Sequence, residues 1–156
     1  MAHPVQACMS SLARWLRLEA DLAAFANDVW DVPPENLPRL PAIIIIWDSE
    51  TASEFDGQSD VPMGRQYLDE MLEIRILSNQ PDAARAQAQI LPAVSAVRRV
   101  CNEHKTLKDA SNVPSCLTSR YESAKVDPVE YGDLNQIAGA TINFRVFLDV
   151  SGNFAG

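Results

Sequence analysis

The stretch from Tyr67 to Leu77 limits the fold most, because apolar residues recur in it at every second position. Four of them fall on one side of an extended chain: Leu68, Leu72, Ile74 and Ile76. Polar or half-polar residues fall on the other side: Tyr67, Asp69, Glu73 and Arg75. This alternation predicts a half-buried β-strand.

A polar turn and a long amphipathic helix follow this strand. Either Asn79 or Gln80 suits the helix N-cap, and Pro81 suits the first helical position. One helix stripe then recurs at steps of three and four residues: Ala86, Ile90, Ala93, Val94, Val97, Val100, Cys101 and His104. Because the turn is short, we expect the strand and the helix to pack on each other, with this stripe facing the core.

The rest of the chain predicts one further helix and four further strands. The helix covers residues 5–27, and the strands cover residues 29–32, 42–47, 115–125 and 137–150. The apolar run at 42–47 suits a strand that is covered on both faces, within a sheet or at a subunit interface. Residues 1–156 are thus predicted to form one α+β domain, with a mainly antiparallel sheet of four to five strands and two helices packed on one face.

Two loops and a tail complete this prediction. Residues 48–65 are interpreted as a projecting hairpin arm, residues 127–135 as a second loop, and residues 151–156 as a flexible tail. From its length and composition the arm is interpreted as a functional or flexible segment. On the last strand Phe147 falls among outward-facing polar residues, where it can pack on a neighbour.

Charge and cysteine content exclude several classes of partner. Thirteen Lys and Arg against 21 Asp and Glu leave a formal charge of −8, whereas nucleic-acid binding needs a concentrated positive face. Three cysteines cannot all pair with one another, and Cys8 and Cys101 fall on apolar helix faces. We therefore expect free, buried thiols in a reducing compartment. We expect neither a signal peptide nor membrane contact.

No residue pattern points to catalysis, a cofactor or a metal. The glycines form no nucleotide-binding motif, the cysteine spacings match no zinc site, and the acidic run at 48–60 lacks the spacing of a calcium loop. His3 is expected in a mobile terminus, and His104 at a helix end, where contact with the helix dipole is the simpler role. The acidic residues of the long strand are interpreted as solvent-facing charge: Asp69, Glu70 and Glu73.

Three segments taken together resemble the tail terminator family of lambda-type long-tailed phages. They are LPAIIIIW at 40–47, LDEMLEIRILSNQPDAARAQAQILPAVSAV at 68–97 and AGATINFRVFLDV at 138–150. The family pattern is an N-terminal helix, an apolar strand after "LPA", a loop, a strand ending in a polar turn before the main helix, and a last strand. The chain follows this order over essentially its full length, with a longer loop at 48–65 and an extended region at 105–136.

The resemblance implies a structural virion protein at the tail–neck junction, made in the host cytoplasm, with no catalytic residues and no cofactor. Such proteins form a homohexameric ring on the major tail tube protein, stop tube polymerisation and dock a head-completion (stopper) protein. DNA passes through the lumen without specific binding. We expect the subunit or tail-tube interface to include eight residues: Trp47, Asp48, Glu50, Glu54, Phe55, Asp56, Tyr67 and Phe147.

Two other functions remain open. Another neck component, such as a head-completion protein, would share the ring but dock on the portal side. A small cytosolic ligand-binding or enzymatic domain would instead have a discrete pocket with converging polar groups.

Overall fold

The computed structural model describes residues 3–53, 67–131 and 134–149, and these residues fold as an α+β domain. In chain order the elements are α1 Pro4–Leu18, α2 Ala20–Phe25, β1 Val29–Trp30, β2 Ala42–Ser53, β3 Tyr67–Leu77, α3 Ala83–Glu103, β4 Thr118–Tyr131 and β5 Leu134–Asp149. The strands form one sheet in the order β1-β2-β3-β5-β4. β1 runs parallel to β2 and the other neighbours are antiparallel, so the predicted mainly antiparallel sheet is confirmed.

The main core lies between the helices and one face of the sheet. On β3 and β5 alternate side chains point into it, so the period-two pattern of both strands is confirmed, with Ile74 and Phe144 fully buried. The stripes of α1 and α3 cover these residues, and Leu12 and Val97 are among their fully buried members. One apolar stripe per helix and one apolar face per sheet are enough to make this two-layer structure.

The apolar run at the start of β2 is buried on both sides, as predicted. Ile43 and Ile45 belong to the main core, whereas Ile44 packs with Leu77 on the opposite face, where Trp30 and other apolar side chains partly cover them. The far side of the sheet is therefore apolar only at this end. Along the rest of that face the side chains of β3 and β5 are half-buried and mostly polar.

Two helix boundaries differ from the prediction. The first helix is interrupted at Glu19, whose backbone is extended (φ −73°, ψ 122°), and its carboxylate pairs with Arg99 of α3 at 2.5 Å. The N-cap of α3 is Asp82 rather than Asn79 or Gln80. The turn is longer because Ser78 is buried and its hydroxyl accepts a hydrogen bond from the Gln80 N–H.

Both predicted loops are partly strand, so these two predictions were wrong in part. β2 continues through residues 48–53 in register with β3, and β4 and β5 pair through most of residues 127–135. The sequence did not indicate this pairing, because backbone hydrogen bonds between strands do not require apolar side chains and these segments are polar. The remainder of the predicted arm, residues 54–65, and the tail at 151–156 lie outside the described residues.

Candidate functional site

The residues predicted to form an interface separate into two groups on opposite faces of the sheet. Trp47 and Glu50 lie on the helix-covered face of β2, Asp48 lies between them and is exposed, and the Trp47 side chain is 47% exposed. Three of the predicted residues lie outside the described part of the chain: Glu54, Phe55 and Asp56. The described residues therefore do not form one continuous patch.

Tyr67 and Phe147 lie on the uncovered face, where they alternate with the core residues of β3 and β5. Both are half-buried, and the outward-facing position predicted for Phe147 is confirmed. Charged side chains surround them: the Arg145 guanidinium lies 3.3 Å from Asp69 and 3.4 Å from Glu122. This face is an extended surface of ion pairs and aromatic rings.

A β-bulge at Asp48 changes the direction of the side chains that follow it. Trp47 pairs with Leu72 and Ser49 pairs with Met71, so Asp48 has no partner residue on β3. Without this extra residue Glu50 would point to the uncovered face. With it, Glu50 lies on the helix-covered face, directly opposite Glu70. Bulges commonly re-aim side chains in this way next to functional sites.

Glu70 is fully buried, so its interpretation as solvent-facing charge was wrong. The period of β3 places it on the same side as Leu68 and Leu72, and this alternation was the signal in the sequence that could have identified it. Asp69 and Glu73 lie on the other face, part-exposed and paired with arginines. A buried carboxyl group needs partners to compensate its lost hydration.

Trp47 and His3 supply two of the contacts around Glu70. The Trp47 indole Nε1–H donates a 2.8 Å hydrogen bond to Glu70 Oε2. His3 Nε2 lies 2.8 Å from Glu50 Oε1 and 3.7 Å from Glu70 Oε1. No described residue donates a hydrogen bond to Glu70 Oε1. Ligand atoms of three residues, one from each of His3, Glu50 and Glu70, lie within 4.8 Å of one another.

His3 is fixed by helix α1 rather than lying free, contrary to the prediction of a mobile terminus. It is the N-cap residue, and its Nδ1 accepts a 3.1 Å hydrogen bond from the Val5 N–H. Since Nδ1 accepts, the proton of the neutral ring is on Nε2, which points at the two carboxyl groups. Beside His3 an open groove of about 380 Å³ runs between α1 and the end of β2, with Met9, Val32 and Trp47 among its lining residues.

The two glutamates have opposite pKa shifts. The pKa of Glu70 is raised to about 7, first by burial and then by the neighbouring Glu50, and the Trp47 hydrogen bond opposes both effects. The pKa of Glu50 is lowered, first by its hydrogen bond with Glu70 and then by His3. Near neutral pH the pair therefore favours holding one proton between the two carboxyl groups, as two like charges at this distance would repel.

His104 does not join this cluster. It is the C-cap residue of α3, and its ring stacks on Trp15 with 3.8 Å between ring centroids. An open groove of about 510 Å³ adjoins it, and Glu103 is the one carboxylate among the described lining residues. The nearby Arg99 pairs with Glu19 and Asp21.

The three cysteines are free and buried, as predicted. The Cys8 thiol has a raised pKa, first from its hydrogen bond with Cys116 and then from burial, and burial raises the pKa of Cys101 to about 12. The thiolate is the reactive and metal-binding form. Cys8 and Cys101 are therefore poor nucleophiles in the folded protein.

Neither the helices, tested for membrane-spanning character, nor a comparison with known proteins assigns the chain to a class of protein. No helix in the described residues has both the length and the apolar character that a membrane crossing requires. No protein-family model matches the chain, and no curated protein matches it either.

Proposed function

We propose that this chain is a structural virion protein that forms a ring on the end of a phage tail tube, stops tube polymerisation and joins the tail to the head. The described elements follow the order of the family that the sequence resembles: α1, the strand β2 after "LPA", the unit of β3, turn and α3, and the last strand β5. The partners in this proposal are five further copies of the chain, the major tail tube protein and a head-completion protein.

The observation that carries the proposal is a sheet that helices cover on one face only. The uncovered face of β3 and β5 combines half-buried aromatics, Tyr67 and Phe147, with the ion pairs of Arg145. Small-molecule sites are concave and mostly apolar, whereas protein interfaces are extended and combine aromatic and arginine side chains with polar groups. The uncovered face has the second character.

Open strand edges on both sides of the sheet also suit a ring. β1 pairs with Ile43 and Ile44 only, so within the described residues no strand pairs with the edge of β2 that faces away from β3 from Ile45 onward. β4 forms the opposite edge. In a closed ring each copy contacts the next head to tail through two different surfaces, and such contacts can cover edges that would otherwise promote aggregation.

The acidic composition is compatible with a ring through which DNA passes. The formal charge of −8 repels phosphates and disfavours retention of DNA in a lumen. A ring that held DNA tightly would instead need clustered Lys and Arg on its inner surface.

Native mass spectrometry of the purified chain, alone and after mixing with tail tubes, tests the ring. We expect a hexamer, or a mixture of monomer and hexamer, in at least one of these conditions. A monomer under both conditions, with no mass bound to the tubes, would contradict the proposal.

One observation favours a second function, that of a small ligand-binding domain. The cluster of His3, Glu50 and Glu70 lies beside the groove of about 380 Å³, and together they have the convergent polar groups and the cavity of a small binding site.

A head-completion protein, the other alternative, would form a ring as well but would leave tube length unchanged when it is absent.

A further inference from the structure

The cluster of His3, Glu50 and Glu70 has a feature that a ring contact does not explain. Glu70 is fully buried, yet its Oε1 accepts no hydrogen bond from any described residue. The oxygen faces another acceptor, Glu50, across the strand pair, and His3 Nε2 at 3.7 Å. When both carboxyl groups are ionised, this buried oxygen has no donor, which is costly, and a cation in this position would compensate it.

We propose that His3, Glu50 and Glu70 bind one divalent metal ion of the zinc class. Imidazole nitrogen and carboxylate oxygen together suit Zn²⁺, and three protein ligands leave a fourth position for water. The argument for this site does not rest on the proposed ring function. Its residues lie on the helix-covered face of the sheet, whereas Tyr67 and Phe147 lie on the uncovered face, and Glu50 alone belongs both to this cluster and to the predicted interface.

The distances between the ligand atoms are close to those of a metal site. Zinc bonds of about 2.1 Å with tetrahedral geometry place ligand atoms roughly 3.4 Å apart. His3 Nε2 lies 2.8 Å from Glu50 and 3.7 Å from Glu70, so a small opening of the Glu50 contact makes room for the ion. The His3 side chain is 46% exposed, which leaves solvent-filled space for this shift.

The surrounding residues orient the ligands. The Trp47 indole N–H holds Glu70 Oε2 at 2.8 Å and leaves Oε1 directed at the cluster. The bulge at Asp48 places Glu50 opposite Glu70, and the start of α1 places His3 above both. Outer contacts of this kind fix ligand orientation in metal sites.

Protons move when the metal binds. His3 must present its Nε2 lone pair, so the ring proton shifts to Nδ1 and the hydrogen bond from the Val5 N–H is lost. The metal-bound form requires Glu50 and Glu70 both to be ionised. The bound ion would then tie α1 to β2 and β3.

Zinc titration of the metal-free, tag-free protein at pH 8 tests this site. Calorimetry measures the binding, and thermal unfolding measures the change in stability. We expect one zinc ion per chain and an increase in Tm. Glu70→Gln and Glu50→Gln should each weaken zinc binding more than the roughly 10- to 100-fold loss that is typical of outer-shell changes. Trp47→Phe should fall within that outer-shell range, because Trp47 holds Glu70 without touching the metal.

Glu73→Gln is the matched control, since Glu73 is on the same strand but its side chain is paired with Arg75 on the other face. It should bind zinc as the unchanged protein does. Co²⁺ absorption gives a second measurement that does not depend on stability, and its ligand-field bands should change in Glu70→Gln. The proposal would be overturned by the absence of zinc binding at pH 8, or by equal zinc affinity in the unchanged protein and in Glu70→Gln.

Discussion

The Trp47 indole N–H donates a 2.8 Å hydrogen bond to Oε2 of the buried Glu70, across the strand pair β2–β3. This contact joins an exposed aromatic residue to the one buried carboxyl group of the described sheet. The β-bulge at Asp48 then brings Glu50 to the same place. Removing any of these elements should alter the ionisation of Glu70, and several of the expected effects can be measured.

Replacing Trp47 by Phe removes the hydrogen-bond donor while keeping an aromatic ring. Hydrogen bonds to charged groups contribute roughly 1.5–3 kcal/mol, and we expect a loss of this order in the free energy of unfolding at pH 8. Urea denaturation of the metal-free protein measures it. Trp30→Phe is the control, because the buried Trp30 Nε1 has no hydrogen-bond partner among the described residues. Equal losses in both variants would show that ring packing, not the hydrogen bond, is responsible.

The stability of the metal-free protein should fall as the pH rises from about 4.5 to about 7. Glu70 has a folded-state pKa raised to about 7 from 4.5, so the folded state binds more protons than the unfolded state in this window. At about 1.4 kcal/mol per pKa unit the total change is roughly 3 kcal/mol. Below 4.5 the lowered pKa of Glu50 acts in the opposite sense, and stability should fall again with falling pH.

Urea denaturation over pH 4 to 8 in the presence of a chelator checks this dependence. The titratable groups around Glu70 are Glu50 on β2, His3 at the N-cap of α1, Cys8 on α1, and Asp69, which lies on the other face of β3. Glu70→Gln should flatten the profile between 4.5 and 7, whereas Glu73→Gln should retain the slope. A slope that persists in Glu70→Gln would assign the titration to another group.

Phe144 and Phe147 form a matched pair on β5, with one ring in the core and the other on the uncovered face. Phe144→Ala should cost about 3–5 kcal/mol of stability, because it leaves a cavity in the core. Phe147→Ala should cost less than about 1 kcal/mol, as expected for a surface position, but should weaken ring formation. Urea denaturation and native mass spectrometry separate the two effects. An intact hexamer in Phe147→Ala would show that this residue does not contribute to the subunit interface.

The three thiols should react slowly with an aromatic disulfide reagent in the native protein and rapidly after unfolding. Cys8, Cys101 and Cys116 are all buried, and raised pKa values keep Cys8 and Cys101 in the thiol form. Absorbance of the released thiolate, with and without denaturant, measures the rates. Rapid modification of one cysteine in the native state would indicate local opening of the segment that carries it.

Local periodicity was sufficient to predict the parts of the fold that a single element determines. β3 and β5 each bury one face, so apolar and polar residues alternate along the sequence of each strand. The apolar stripe of α3 is equally clear in its sequence. The polar end of β2 was not predictable in the same way. Its strand structure comes from backbone pairing with β3, which leaves no apolar pattern in residues 48–53.

The candidate metal site was missed for two different physical reasons. Glu70 was detectable, since the period of β3 places it inward, but a carboxyl group was assumed to require solvent. The proximity of His3, Glu50 and Glu70 was not detectable, because it depends on the bulge at Asp48 and on how α1 docks on the sheet. Residues distant in sequence come together only through such features of the tertiary structure.

The length of tail tubes assembled with and without this chain tests the proposed function most directly. Purified tail tube protein should polymerise into tubes of defined length in the presence of the chain, each bearing a ring at one end in electron micrographs. Without the chain, or with Phe147→Ala if that residue is at the interface, we expect overlong tubes. Tubes of the same length distribution in both conditions, with no ring at their ends, would contradict a role in tail termination.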